Sequence, residues 1–194
     1  MSATLKVALI GESGVGKSSI LSQFTEGIFH SYIQSTVGCG FDTRTIKLKE
    51  INQAIDLELW DTSGRTKFRE LVKYFYKNAD VIILCYDSTS KYSFEELKYY
   101  WYEEEIKINV VHDPILIIVA NKNDLYDKND VKDEEGKAFA EEINAIFQST
   151  SAMSYNSIKS LFENIARKYF DPSFDTNEIE NRKKRLINIT KQKE

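Results

Sequence analysis

The chain has 194 residues, 42% of them hydrophobic and 12% aromatic, enough apolar material for the core of one domain and too much for a disordered chain. Residues 182–194 hold six Lys or Arg and one Glu, leaving 20 Lys or Arg against 29 Asp or Glu elsewhere, and so acidic a body excludes nucleic-acid binding as the main task. Two cysteines, Cys39 and Cys85, exclude a disulfide framework, and without a signal peptide or an apolar run of roughly 18 residues the expected location is cytoplasmic.

Strand and helix patterns alternate along the chain. LKVALI (5–10) is a continuous apolar run, the pattern of a strand buried on both faces. Residues 18–25 have Ile20, Leu21 and Phe24 at helical spacing, and 26–40 have no period and read as loop. Residues 41–50 and 54–60 alternate, with Ile55, Leu57 and Leu59 on one side, which predicts a hairpin. VIILCYD (81–87) and ILIIVAN (115–121) are again buried runs, with helices predicted over 91–108, 133–146 and 155–170. Residues 99–105, YYWYEEE, read as a helix with an aromatic core face and an acidic solvent face. The predicted class is α/β: a single domain over 1–172, with a mostly parallel six-stranded sheet, one antiparallel edge strand and helices on both faces. A charged tail over 173–194 is read as a helical extension or disorder. Ligands of such sheets bind at the C-terminal strand ends.

After the first strand stands GESGVGKS, from Gly11 to Ser18. This G-x-x-x-x-G-K-[ST] pattern lies between a strand and a helix, where its glycines let consecutive N–H groups point at phosphate oxygens. The helix start adds its positive dipole end. Lys17 reaches the β- and γ-phosphates, and the Ser18 hydroxyl is a ligand for Mg²⁺. The expected cofactors are a nucleoside tri- or diphosphate and Mg²⁺. Asp61 ends the strand 54–60, where a carboxylate holds a metal-bound water, and Thr36 offers a hydroxyl to the same metal. Gly64 presents a backbone N–H to the γ-phosphate.

NKND (121–124) follows a strand at the same mouth. The Asp124 carboxylate accepts from guanine N1–H and its exocyclic amino group, whereas adenine would leave that charge unpaired. Asn121 ties this loop to the phosphate cradle, and the Lys122 stem lies on the base. In STSAM (149–153), N–H groups near Ala152 are placed to meet guanine O6, with Ser151 and Met153 beside it.

GESGVGKSS, STVGCGF, WDTSG, NKND and TSAM, in this order and spacing, resemble the Ras superfamily of small GTPases, most of all its Rab branch, over about residues 4–170. The resemblance implies a GTP/GDP-bound, Mg²⁺-dependent switch that slowly hydrolyses GTP to GDP and phosphate and regulates vesicle or membrane traffic. It implies phosphate contacts from Gly11, Ser13, Gly14, Val15, Gly16, Lys17, Ser18 and Ser19, and a base-edge contact from Phe29. Residues 30–41 and 61–76 correspond to two switch segments, held by Thr36 and Gly64 while a γ-phosphate is present. Phe41, Trp60 and Phe75 resemble the aromatic triad by which Rab proteins meet effectors; the alternative is plain edge packing. Implied partners are an exchange factor, a GTPase-activating protein and effectors. The implied state is a monomer, peripheral on the cytosolic face of endomembranes, with weak membrane contact through the basic tail.

Two departures stand out. Met153 replaces the family's usual Lys. Arg65 follows Gly64 where the family usually has Gln, which orients the attacking water by both donating and accepting hydrogen bonds. Arginine has five donors and no acceptor. Three roles for Arg65 stay open: a poor substitute for Gln that slows hydrolysis; an arginine that stabilises transition-state charge in cis; or a solvent-facing residue, with activating proteins supplying what is missing. The donor-only chemistry points to the first, and a GTP-locked adaptor is its limiting case. Rab proteins usually end in prenylated cysteines, and no cysteine follows Cys85, which implies a shortened chain or a member without that anchor.

Overall fold

The computed structural model describes residues 3–175. Six strands form one sheet in the order β2-β3-β1-β4-β5-β6. They are β1 (Ala3–Ile10), β2 (Cys39–Leu48), β3 (Gln53–Thr62), β4 (Val81–Asp87), β5 (Ile115–Asn121) and β6 (Ile146–Ser149). All neighbours pair in parallel except β2, which runs antiparallel to β3 at the edge. The predicted sheet and its single antiparallel strand are therefore present. The register sets Leu9 opposite Asp61, Ile10 opposite Leu84, and Asp87 opposite Asn121, so these strand ends finish at one rim.

Both faces of the sheet are covered. On one, Val7, Leu9, Leu57 and Val119 pack with α1 (Lys17–Thr25) and α6 (Tyr155–Phe170). There Phe24 and Phe162 stack with centroids 3.8 Å apart. On the other, Ile10, Ile82 and Leu84 pack against α2 (Arg69–Tyr76), α3 (Lys91–Glu96) and α5 (Asp133–Glu142). Phe162 is fully buried. Phe162→Ala is expected to cost about 3–5 kcal/mol in urea unfolding, because it removes a fully buried ring and leaves a cavity against Phe24.

The structure departs from the sequence reading in several places. Helix α2 was not expected within 61–76; its buried signal is only Val72 and Tyr76. The helix expected over 91–108 begins as α3 but widens into π-helical turns over Leu97–Ile106, closing with the short α4 (Lys107–Asn109). The helix expected over 133–146 stops at Glu142, and Ile146 already belongs to β6. The acidic face of 99–105 is not wholly solvated. Glu103 and Glu104 are exposed, but Glu105 is buried, accepting from Tyr76 Oη at 2.5 Å and Tyr100 Oη at 3.0 Å, with Lys73 Nζ 3.3 Å away. A carboxylate with that many donors can leave water. Most of the expected tail, residues 176–194, lies outside the described residues. No helix among the described residues is long and apolar enough to cross a membrane.

Candidate nucleotide-binding site

A cleft of about 410 Å³ opens at the rim where β1, β3 and β5 end. Its floor is the loop Gly11–Gly16 leading into α1. Gly16 caps that helix at φ 99°, and a Cβ there would lie 2.3 Å from the Asn121 amide nitrogen, so no larger residue fits. Lys17 is buried, and its ammonium donates to Gly11 O at 2.6 Å and Glu12 O at 2.8 Å. Burial holds its pKa below the usual lysine value, against opposing influences from Cys85, Asp61 and Glu12. A phosphate arriving at the loop would meet a desolvated cation, which favours a strong charge-assisted contact.

At one end three oxygen groups converge. Ser18 Oγ donates to Asp61 Oδ2 at 2.6 Å, Thr36 Oγ1 donates to the same oxygen at 3.1 Å, and the two hydroxyls are 3.0 Å apart. Asp61 Oδ1 is buried with no donor. Burial raises the Asp61 pKa against the opposing effect of Ser18, Lys17 and Thr36. An unsatisfied carboxylate oxygen beside two hydroxyls is the hard-oxygen donor set that suits Mg²⁺ when phosphates complete its shell. The residues present therefore fit that ion.

At the other end Asn121 joins the two halves of the site. Its amide nitrogen donates to Val15 O at 2.9 Å; its oxygen accepts from Ala152 N at 3.2 Å and Thr150 Oγ1 at 3.3 Å. Lys122 adopts the left-handed region at φ 66° and donates to Gly14 O at 2.7 Å while pairing with Asp87 at 2.7 Å. The Ser151 hydroxyl donates to Asp124, and itself accepts from Met153 N at 3.1 Å, which fixes the carboxylate at the wall.

The sequence-predicted residues that line the cleft are Ser13, Gly14, Gly16, Lys17, Ser18, Ser19, Phe29, Thr36, Gly64, Asn121, Lys122, Asp124, Ala152 and Met153. Gly11, Val15, Asp61 and Ser151 stand behind that lining, joined to it by the bonds above. Arg65 is exposed and does not line the cleft; its N–H donates to Ser63 Oγ at 3.3 Å. Phe41, Trp60 and Phe75 form a continuous row, Phe41 tilted on Trp60 at 4.7 Å and Trp60 stacked on Phe75 at 5.3 Å, with Phe41 exposed and the other two half-buried. Sequence reasoning missed Asp87, whose signal was its place at the end of β4. It also missed the side chain of Glu12, whose partners are remote in sequence.

A model of the Ras family matches residues 6–171. The Ras-related protein RabC of Dictyostelium discoideum is 37% identical over 158 residues, covering 81% of this chain and 80% of its own length. The Ras-related protein Rab-22A of Homo sapiens is 39% identical over 176 residues, covering 89% of this chain and 86% of its own. RabQ of Dictyostelium discoideum is 35% identical over 164 residues, with 84% and 78% covered.

Proposed function

From the premise that this chain belongs to the Ras family, and is a guanine-nucleotide-binding GTPase with Rab proteins among its relatives, we propose that it is a Rab-type switch in membrane traffic. In this reading it binds GTP or GDP with Mg²⁺ and hydrolyses GTP slowly. The observation that carries the proposal is the Asn121 amide, which binds the phosphate loop and the 150–152 loop at once. It supports a ligand with a purine at one end and phosphates at the other.

Each residue then has a task. Asp124, braced by Ser151, accepts from the guanine edge, and Ala152 N–H faces O6. Phe29 and the Lys122 stem cover the base. The loop N–H groups and Lys17 bind the phosphates. Ser18 and Thr36, with Asp61 through water, would hold Mg²⁺, which supplies charge neutralisation at the phosphate oxygens. Gly64 N–H and Thr36 tie the two switch segments to a γ-phosphate, so its loss releases them. The aromatic row of Phe41, Trp60 and Phe75 serves as the effector surface, and exchange factors and activating proteins act on the switches.

Water is the attacking group, and its orientation is the weak point. Arg65 lacks an acceptor and stands outside the cleft, which supports slow intrinsic turnover; the extreme is an adaptor locked with GTP. Single-turnover phosphate release separates the two, since a locked adaptor releases none over hours. Arg65→Gln is expected to raise the intrinsic rate roughly tenfold, by adding an acceptor for the water. Equal rates for parent and variant would remove Arg65 from the explanation. Chromatography of the nucleotide extracted from purified protein tests the base.

A further inference from the structure

The segment between the phosphate end of the cleft and α2 has few contacts of its own. Arg65, Thr66 and Lys67 are all exposed. Both ends of the span, however, meet the phosphate loop at Glu12, the near end by close backbone packing and the far end by an ion pair. At the near end Gly64 lies on the loop so closely that a Cβ would stand 2.3 Å from the Glu12 carbonyl carbon and the Ser13 nitrogen. At the far end Arg69, the first residue of α2, donates from Nη2 to Glu12 Oε1 at 2.9 Å. The same nitrogen donates to Glu96 Oε2 at 2.9 Å.

The arrangement is built rather than incidental. The Arg69 guanidinium lies 3.6 Å from the Tyr100 ring centroid, and Trp101 Nε1 donates to the same Glu12 oxygen at 3.0 Å. Both aromatic residues come from the π-helical stretch. The side chains of Arg69 and Glu12 are only 17% and 13% exposed. Water therefore competes weakly for this pair, unlike for an ordinary surface ion pair.

We propose that Arg69 is a positioning residue for GTP hydrolysis: by bridging Glu12 and Glu96 it closes the 65–68 span against the phosphate loop. Resting on the slow-hydrolysis reading above, the inference adds a second determinant of the rate besides the residue at 65. A span packed against the loop at Gly64 and ion-paired at Arg69 samples few conformations, so whatever orients water near Gly64 is held near the γ-phosphate. Releasing the far pin restores that freedom and lowers the fraction of productive geometries. Neither Arg69 nor Glu96 lines the cleft, so a role in the rate is separable from nucleotide affinity by measuring both.

The test combines single-turnover GTP hydrolysis, GDP affinity and amide hydrogen exchange over 65–68. Arg69→Ala is expected to slow hydrolysis about tenfold and to speed exchange over the span, with GDP affinity within about twofold of the parent. Arg69→Lys recovers part of the loss, since an ammonium keeps the charge but not the planar fork. Glu96→Gln, which keeps an acceptor for Arg69 but removes the charge, slows hydrolysis about threefold. If Arg69→Ala fails to fold, Glu96→Gln decides on the same readouts. Parental rate and parental exchange in the variants overturn the inference, as does a loss of GDP affinity as large as the loss of rate. A parent that binds GTP and releases no phosphate overturns the slow-hydrolysis reading instead, and unchanged exchange over 65–68 in Arg69→Ala then overturns this one.

Discussion

Asp124→Asn is expected to weaken GTP and GDP binding roughly 10³-fold, because an amide presents a donor where the guanine edge also donates. Two hydrogen bonds to a carboxylate become one bond and one donor–donor clash. The same change suits a purine carrying an oxygen at position 2, so xanthosine diphosphate is expected to bind the variant more tightly than GDP does. The Ser151 hydroxyl supports this geometry by donating to Asp124. Ser151→Ala leaves the carboxylate charge in place and should cost about tenfold at most. Competition between fluorescent GDP and unlabelled nucleotides measures all three proteins. Unaltered preference for GDP in Asp124→Asn would place base recognition elsewhere and undo the assignment of this cleft end.

The second large effect is expected at Lys17. Lys17→Met removes the buried ammonium at the phosphate loop and should weaken nucleotide binding on the order of 10²–10³-fold. What distinguishes this from simple misfolding is the behaviour without ligand. Burial already depresses the lysine pKa, so carrying that charge costs the ligand-free fold free energy. Methionine has similar length and no such cost, but it leaves the Gly11 and Glu12 carbonyls without their donor. The two effects oppose each other, and the ligand-free melting temperature should stay near the parent's. The rise in melting temperature on adding GDP, which follows from mass action, should largely vanish. A variant with an undiminished GDP-dependent rise would show that Lys17 does not meet the phosphates.

Much of this was legible from the residues, and the reasons differ from one element to the next. The phosphate loop is contiguous, and its glycines, lysine and serine sit between an apolar run and a helical pattern, so position and chemistry agree. The link from Asn121 to the loop was expected because both lie at ends of parallel strands, and topology brings such ends together. Helix α2 was harder, since Val72 and Tyr76 are its only buried residues and two positions make no period. Glu105 was read as solvated because a run of three glutamates ordinarily is. Its burial depends on Tyr76 and Lys73, which another helix supplies. The bridge at Glu12 left no local trace at all: Arg69 and Trp101 are 57 and 89 residues away along the chain. The π-helical turns of Leu97–Ile106 have no composition that marks them.

Asn121 holds the loops that would contact base and phosphates at a fixed separation with protein bonds alone. A site assembled in advance asks little rearrangement of an incoming nucleotide, so capture should run close to the encounter rate for right and wrong bases alike. Selection would then be exercised on the way out, through residence time, and an exchange factor that prises this asparagine from Val15 would shorten every nucleotide's stay at once.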